Sequence, residues 1–186
     1  MALSTLVMRV EGSYSRFDGV DWVLSVVTFL VIVDIWREYL MMVLAYVWLP
    51  TLLDSLVPFA FLAAEVFLAH FVFHNLRDWL LAFGACNTVG IAAWWLQVSQ
   101  AQKTSSEEYR AVVEWVRRAN SLRAELVLVF AALSFCAFGL YDVLRLGQVQ
   151  GLIALVCLVA VIVFLATSVP YLNQILGPTQ IRRREP

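Results

Sequence analysis

The sequence predicts an all-α integral membrane protein: a bundle of five or six transmembrane helices with one helix extended into the cytosol. Three observations carry this. The 186 residues are 62% hydrophobic, well above the roughly 45–50% of soluble domains. The excess is gathered into runs of about 15–25 residues, the length that crosses a hydrocarbon core of roughly 30 Å at about 1.5 Å per residue. Between two groups of these runs lies a charged, helix-forming segment that carries five basic residues, Lys103, Arg110, Arg117, Arg118 and Arg123.

Residues 1–19 form an N-terminal segment. Its apolar stretch is short and is followed by Arg9, Glu11, Arg16 and Asp18, which does not match a cleaved signal peptide, so it is expected to be retained. Residues 20–98 form a first transmembrane group. The run 20–36 is just long enough to cross, with Trp22 and Trp36 placed for the two interfaces. The run 39–53 is short and broken by Pro50. It reads as a brief sixth span or as an interfacial or re-entrant helix. Runs 55–74 and 80–98 are clear spans. After the segment 99–121 come a second transmembrane group, residues 122–172, and a basic tail, residues 173–186, with Arg182, Arg183 and Arg184.

Arginine placement orients the bundle. Cytoplasmic loops carry an excess of Lys and Arg. With six spans and an internal N-terminus, or five and an external one, segment 99–121 and the tail both lie in the cytosol. A plasma-membrane location follows as the expectation. Within the segment, Ser105 and Glu108 have capping-box spacing, and no proline or glycine occurs from Ser105 to Phe138. One long helix is predicted, entering the membrane near Leu122. Tyr109, Val112, Val113, Val116 and Ala119 recur at helical spacing, and Arg110, Arg117 and Arg118 lie largely on another face. An amphipathic helix of this kind needs a partner for its stripe. Arg110, Arg117, Arg118 and Arg123 are the partner-binding candidates, and a cytosolic protein is the expected partner.

Glu65 is the most costly residue, a carboxylate at the centre of an apolar run. Ionisable groups within such runs are rare and mark functional sites by default. Asp54, eleven residues earlier, falls within about 20° of the same helical face. Asp21 shares a face of the first run with Ser25 and Thr28. Glu65, Asp54 and Asp21 are therefore candidates for a pore or ion site. Each also has a structural explanation, as a carboxyl held by a group on another helix. Asp34 has a local one, a pair with Arg37 three residues on.

His70 and His74 share a helical face, but no third ligand stands near them, and Glu65 is about 140° away from His70. Cys86, Cys136 and Cys157 all lie in apolar runs with no metal spacing. No metal and no cofactor are expected. Gly84, Asn87 and Thr88, with Ala92, form a ridge of small and hydrogen-bonding residues suited to close helix packing. No phosphate-binding loop or nucleophile motif is present, which argues against an enzyme. A net charge of -1 predicts no nucleic-acid partner.

The series Arg16, Phe17, Asp18, Gly19, Val20, then Thr28 and Asp34, then Trp48-Leu49-Pro50 before a run ending in histidine, resembles a leak-type potassium channel family. That family has an Arg-x-x-x-Phe-Ser-Asp signature in its first helix. Here the serine is missing and the arginine is displaced, so no residue role is carried over.

Two functions follow as expectations. One is a non-enzymatic, oligomerising membrane subunit that recruits or signals to a cytosolic partner through the arginine-bearing helix. The other is an oligomeric ion channel or transporter built on the intramembrane carboxylates.

Overall fold

The computed structural model of the protein describes residues 1–45, 52–73, 75–104 and 107–182, with side chains for 1–40, 56–73, 75–96, 99 and 121–167. These residues are helical almost throughout, in six helices: α1 (Ala2–Ser13), α2 (Gly19–Ala45), α3 (Leu52–Phe71), α4 (Leu76–Thr104), α5 (Glu107–Gly139) and α6 (Gln150–Arg182). Four stretches within them are long and apolar enough to cross a membrane: Gly19–Leu40, Leu76–Leu96, Ser121–Gly139 and Gln150–Thr167. In α3, a shorter apolar stretch covers Leu56–Phe71.

The helix starts are written in local chemistry. Asp18 caps α2: its Oδ1 accepts from the backbone N–H of Val20 at 2.8 Å and of Asp21 at 2.9 Å, and Asp21 Oδ2 accepts from Asp18 N–H at 3.3 Å. This reciprocal arrangement satisfies donors that the first turn otherwise leaves orphaned. Asn75 does the same for α4, accepting from Asp78 N–H at 2.8 Å and donating to the Asp78 carboxylate at 3.1 Å.

Side-chain contacts fix the directions of the helices. At one end of the bundle Phe17, before α2, packs on Phe73, after α3, with ring centroids 4.4 Å apart. At the same end Arg77 of α4 meets Asp142, between α5 and α6, at 2.9 Å and lies over the Phe138 ring of α5. Gly151, at the start of α6, lies beside Val20. At the other end Arg123 of α5 reaches Glu38 of α2 and stacks on Phe164 of α6. Helices α2 to α6 therefore cross the bundle in alternating directions, and α2 and α6 run parallel. Residues 39–45 belong to α2 and 52–53 to α3, while 46–51 lie outside the described residues. The run 39–53 is therefore divided, its first part in α2 and its last two residues in α3. Apolar continuity past Arg37 and Glu38 extends α2, because those two charges are paired inside the protein.

Within the N-terminal segment, residues 2–13 form helix α1, which the sequence did not announce. Ala2 and Leu6, one turn apart, enter the core against α3 and α2. The core centres on Trp79, Leu24, Val27, Leu68 and Val72, all essentially inaccessible. Outside, Phe67, Leu128, Leu133, Leu152 and Val156 are exposed. This inverts the pattern of a water-soluble domain, which rarely leaves apolar patches so extensive. The window in α4 is 39% buried and that in α6 only 11%, so α4 is the central helix and α6 the peripheral one.

Candidate functional site

Four charged residues of the apolar region, three on α2 and one reaching across from α5, form one cluster. Glu38 and Asp34 lie one turn apart on α2, and Arg37 lies between them. Arg37 pairs with Asp34 and with Glu38, the latter at 3.0 Å. Arg123 enters from α5. Its Nη1 donates to Glu38 Oε1, its Nη2 lies 3.7 Å from Asp34 Oδ2, and its guanidinium sits 4.5 Å from the Phe164 ring centroid. Two guanidiniums thus face two carboxylates. Arg123 is 6% exposed and Asp34 9%. Burial this deep is tolerated because each charge has an opposite partner; unpaired, each would carry a desolvation cost of several kcal/mol.

A cavity of ≈ 150 Å³ borders this cluster, bounded by α2, α3, α4, α5 and α6. Asp34, Glu38 and Arg123 form its charged wall, Asn87 and Trp94 add polar groups, and the remaining lining is largely apolar. Among the described residues, Nε and Nη2 of Arg123 and the indole N–H of Trp94 are buried and make no hydrogen bond, although Nη2 faces Asp34 Oδ2 at 3.7 Å.

Glu65 lies elsewhere in the interior. It is 1% exposed, with the Trp36 side chain of α2 near its carboxyl. Among the described residues its Oε2 has no hydrogen-bond partner. A carboxyl enclosed by its own chain in this way lies inside the bundle. It does not present itself on an outer face. Asp54 belongs to α3, but its side chain lies outside the described residues, so the two carboxylates are not brought together on observed contacts.

Asp21 helps to cap α2, and its backbone carbonyl accepts from Ser25 Oγ at 2.7 Å. Thr28, further along the same stripe, accepts from the buried Trp79 indole of α4 at 3.0 Å. The stripe therefore meets another helix. His70 contacts Arg9 of α1; His74 lies outside the described residues. Among the described residues no group of three His, Cys, Asp or Glu could hold a metal.

Gly84, Asn87 and Thr88 sit where α4 meets α5, the most extensive helix contact of the fold. A Cβ on Gly84 would come within 3.1 Å of the Phe135 ring, so the glycine lets the two helices approach. Asn87 and Thr88 turn inward on their own helix, donating to Phe83 O at 2.8 Å and Gly84 O at 2.9 Å.

Of the four arginines expected on the projecting helix, Arg110, Arg117 and Arg118 belong to α5 with side chains outside the described residues. Arg123 departs from the expectation. It does not sit on the projecting surface but is consumed by the carboxylates of α2. Its sequence neighbours, the polar stretch Ala119 to Ser121, disguised it as part of the soluble segment. The signal that was available lay on the other side, in the two carboxylates of α2 facing a single nearby arginine.

At the opposite end of the bundle, Arg77, Asp142 and Tyr141 form a more exposed group. Burial raises the Tyr141 phenol above its ordinary value, the Asp142 charge adds to this, and Arg77 opposes it.

No family model, no curated protein and no solved structure matches this chain.

Proposed function

We propose that the protein is a non-enzymatic, multi-pass membrane subunit that engages a cytosolic protein through the projecting part of α5. The observation that carries this reading is the continuity of that helix. α5 runs unbroken from Glu107 to Gly139, yet only Ser121–Gly139 is apolar enough to cross a membrane. Residues 107–120 therefore continue as helix beyond the apolar stretch, by about 21 Å at 1.5 Å per residue. The boundary between the two parts is where Arg123 is tied to α2. A rod fixed at its membrane entry presents its outer face at a constant height and angle, which suits a docking surface.

Orientation follows from charge. The alternating path puts the end of α4, the start of α5 and the basic tail on one side, and the arginine excess makes that side cytoplasmic. A plasma-membrane location and self-association belong to the same reading. Conduction through Glu65 receives less support, because that carboxyl is enclosed within one chain.

The test is co-purification from solubilised membranes with the double variant Arg117→Glu, Arg118→Glu. The reading expects a cytosolic protein to accompany the wild type stoichiometrically and to be lost from the variant, with both equally stable. Equal recovery of that protein with the variant would refute recruitment by this face.

A further inference from the structure

We infer that α1 is inserted into a single leaflet of the bilayer, with its outer face covered by lipid acyl chains rather than by water or protein. The leaflet is the one at the end of the bundle opposite the projecting part of α5. This inference rests on the apolar stretches being membrane spans and does not depend on recruitment through α5.

The position of the helix is the first support. Two contacts set α1 beside α3 and running in the same direction. Met1 lies near the Glu65 carboxyl, and Arg9, further along α1, meets His70, further along α3. Between them Ala2 and Leu6 enter the core cluster that holds Leu68 and Val72. The chain then leaves α1, packs Phe17 on Phe73 and turns into α2. At this same end the apolar stretches of α2, α4 and α6 begin and that of α5 stops. Helix α1 therefore lies inside the apolar slab, reaching inward from its edge. Glu65 precedes Phe73 by eight residues, or about 12 Å along α3. Half of the hydrocarbon core is roughly 15 Å, so α1 approaches the midplane and stays within one leaflet.

The second support is how polarity is distributed. Ala2 and Leu6 are buried, whereas Leu3, Val7 and Met8 are exposed. The first two turns are thus apolar toward the core and outside, with the uncharged Ser4 on the outer face. A helix apolar on both sides belongs in a buried or membrane setting. Charge enters only toward the edge of the slab, with Arg9 against His70, then Glu11. Beyond these, the exposed Tyr14 and Arg16 suit the headgroup level. A helix lying flat on a membrane separates polar and apolar faces around its axis. In α1 the change runs along the axis, as expected of a helix that stands in the leaflet. Phe67 of α3, at similar depth, is also exposed, so the outer face of α1 continues the surface that the spans present to lipid. Close helix contacts within membranes favour small residues, and Leu3, Val7 and Met8 are large.

The experiment uses the full-length protein in phosphatidylcholine vesicles, with Cys86→Ala, Cys136→Ala and Cys157→Ala. A spin label is attached at one of Leu3→Cys, Met8→Cys or Tyr14→Cys. Electron paramagnetic resonance then compares relaxation of the label by oxygen, which concentrates in hydrocarbon, and by a water-soluble nickel chelate. The ratio is expected to favour oxygen most at position 3, less at position 8, and to shift toward the nickel chelate at position 14. Preference for the nickel chelate at position 3 would place α1 in water and overturn the proposal. Exclusion of both reagents from position 3 would place protein over it, and would overturn the proposal equally. If the chain without its cysteines does not fold, a photo-reactive amino acid at position 3 of the otherwise native protein gives the same reading. A lipid adduct is then expected, and an adduct with a second copy or another protein would overturn the proposal.

Discussion

The energetics of the interior turn on single charged side chains. Arg123, 6% exposed, neutralises Glu38 and lies beside Asp34; Arg77 makes a pair of similar chemistry with Asp142, whose side chain is 75% exposed. Burial alone separates the two. Removing one partner from a buried pair strands the other, at about 3–5 kcal/mol, whereas an exposed pair contributes about 0–1 kcal/mol. Arg123→Met is therefore expected to lower stability several times more than Arg77→Met, as read from thermal unfolding in detergent. Half of the Arg123 cluster was legible in the sequence. Asp34 and Arg37 stand three apart on one helix, a spacing that brings them together whatever the fold. Arg123 stands 85 positions from Glu38, and only the tertiary fold brings its long side chain within reach of α2.

At the scale of helices, the α4–α5 contact is set by the absence of a side chain. Gly84 has no Cβ, and one placed there would lie 3.1 Å from Phe135, too close without a shift of the ring. Gly84→Ala is expected to cost about 1 kcal/mol, the low end for overpacking, because Phe135 is partly exposed and its ring can give way. Adding Phe135→Leu to Gly84→Ala should recover most of that loss, so that the two effects are not additive. Unfolding of the single and double variants checks this. The ridge itself could be read from sequence, because small residues at this spacing have one obvious use. The direction in which Asn87 and Thr88 point could not. Both bond carbonyls of their own helix, an option open to any such residue within α4. The run 39–53 is divided between two helices. Pro50 reads as a break within a segment, whereas the helix α2 already includes residues 39–45, and the chain from 52 onward belongs to α3.

For the whole molecule, five helices in alternating directions place the α4–α5 end and the α5–α6 connection on opposite sides. With the native cysteines replaced, a single cysteine at Thr104 is expected to react with a membrane-impermeant maleimide only after cells are opened. One at Gly147 should react in intact cells. Labelling of both positions from the same side would exclude the alternating path. The all-helical, apolar character of the bundle was legible from the length of the runs; of the five or six spans expected, four stretches among the described residues are long and apolar enough to cross a membrane. The helical nature of residues 2–13 was not legible, because α1 is too short to announce itself and gains its place by inserting Ala2 and Leu6 against α3.

The account turns on the outer face of α5, and a photo-reactive amino acid at position 117 tests it most directly. After irradiation of intact cells, a covalent adduct between this chain and one soluble protein, absent when the photo-reactive group is placed at the outward-facing Leu133, is the predicted result. Adducts at position 117 with lipid or with this chain alone would contradict it.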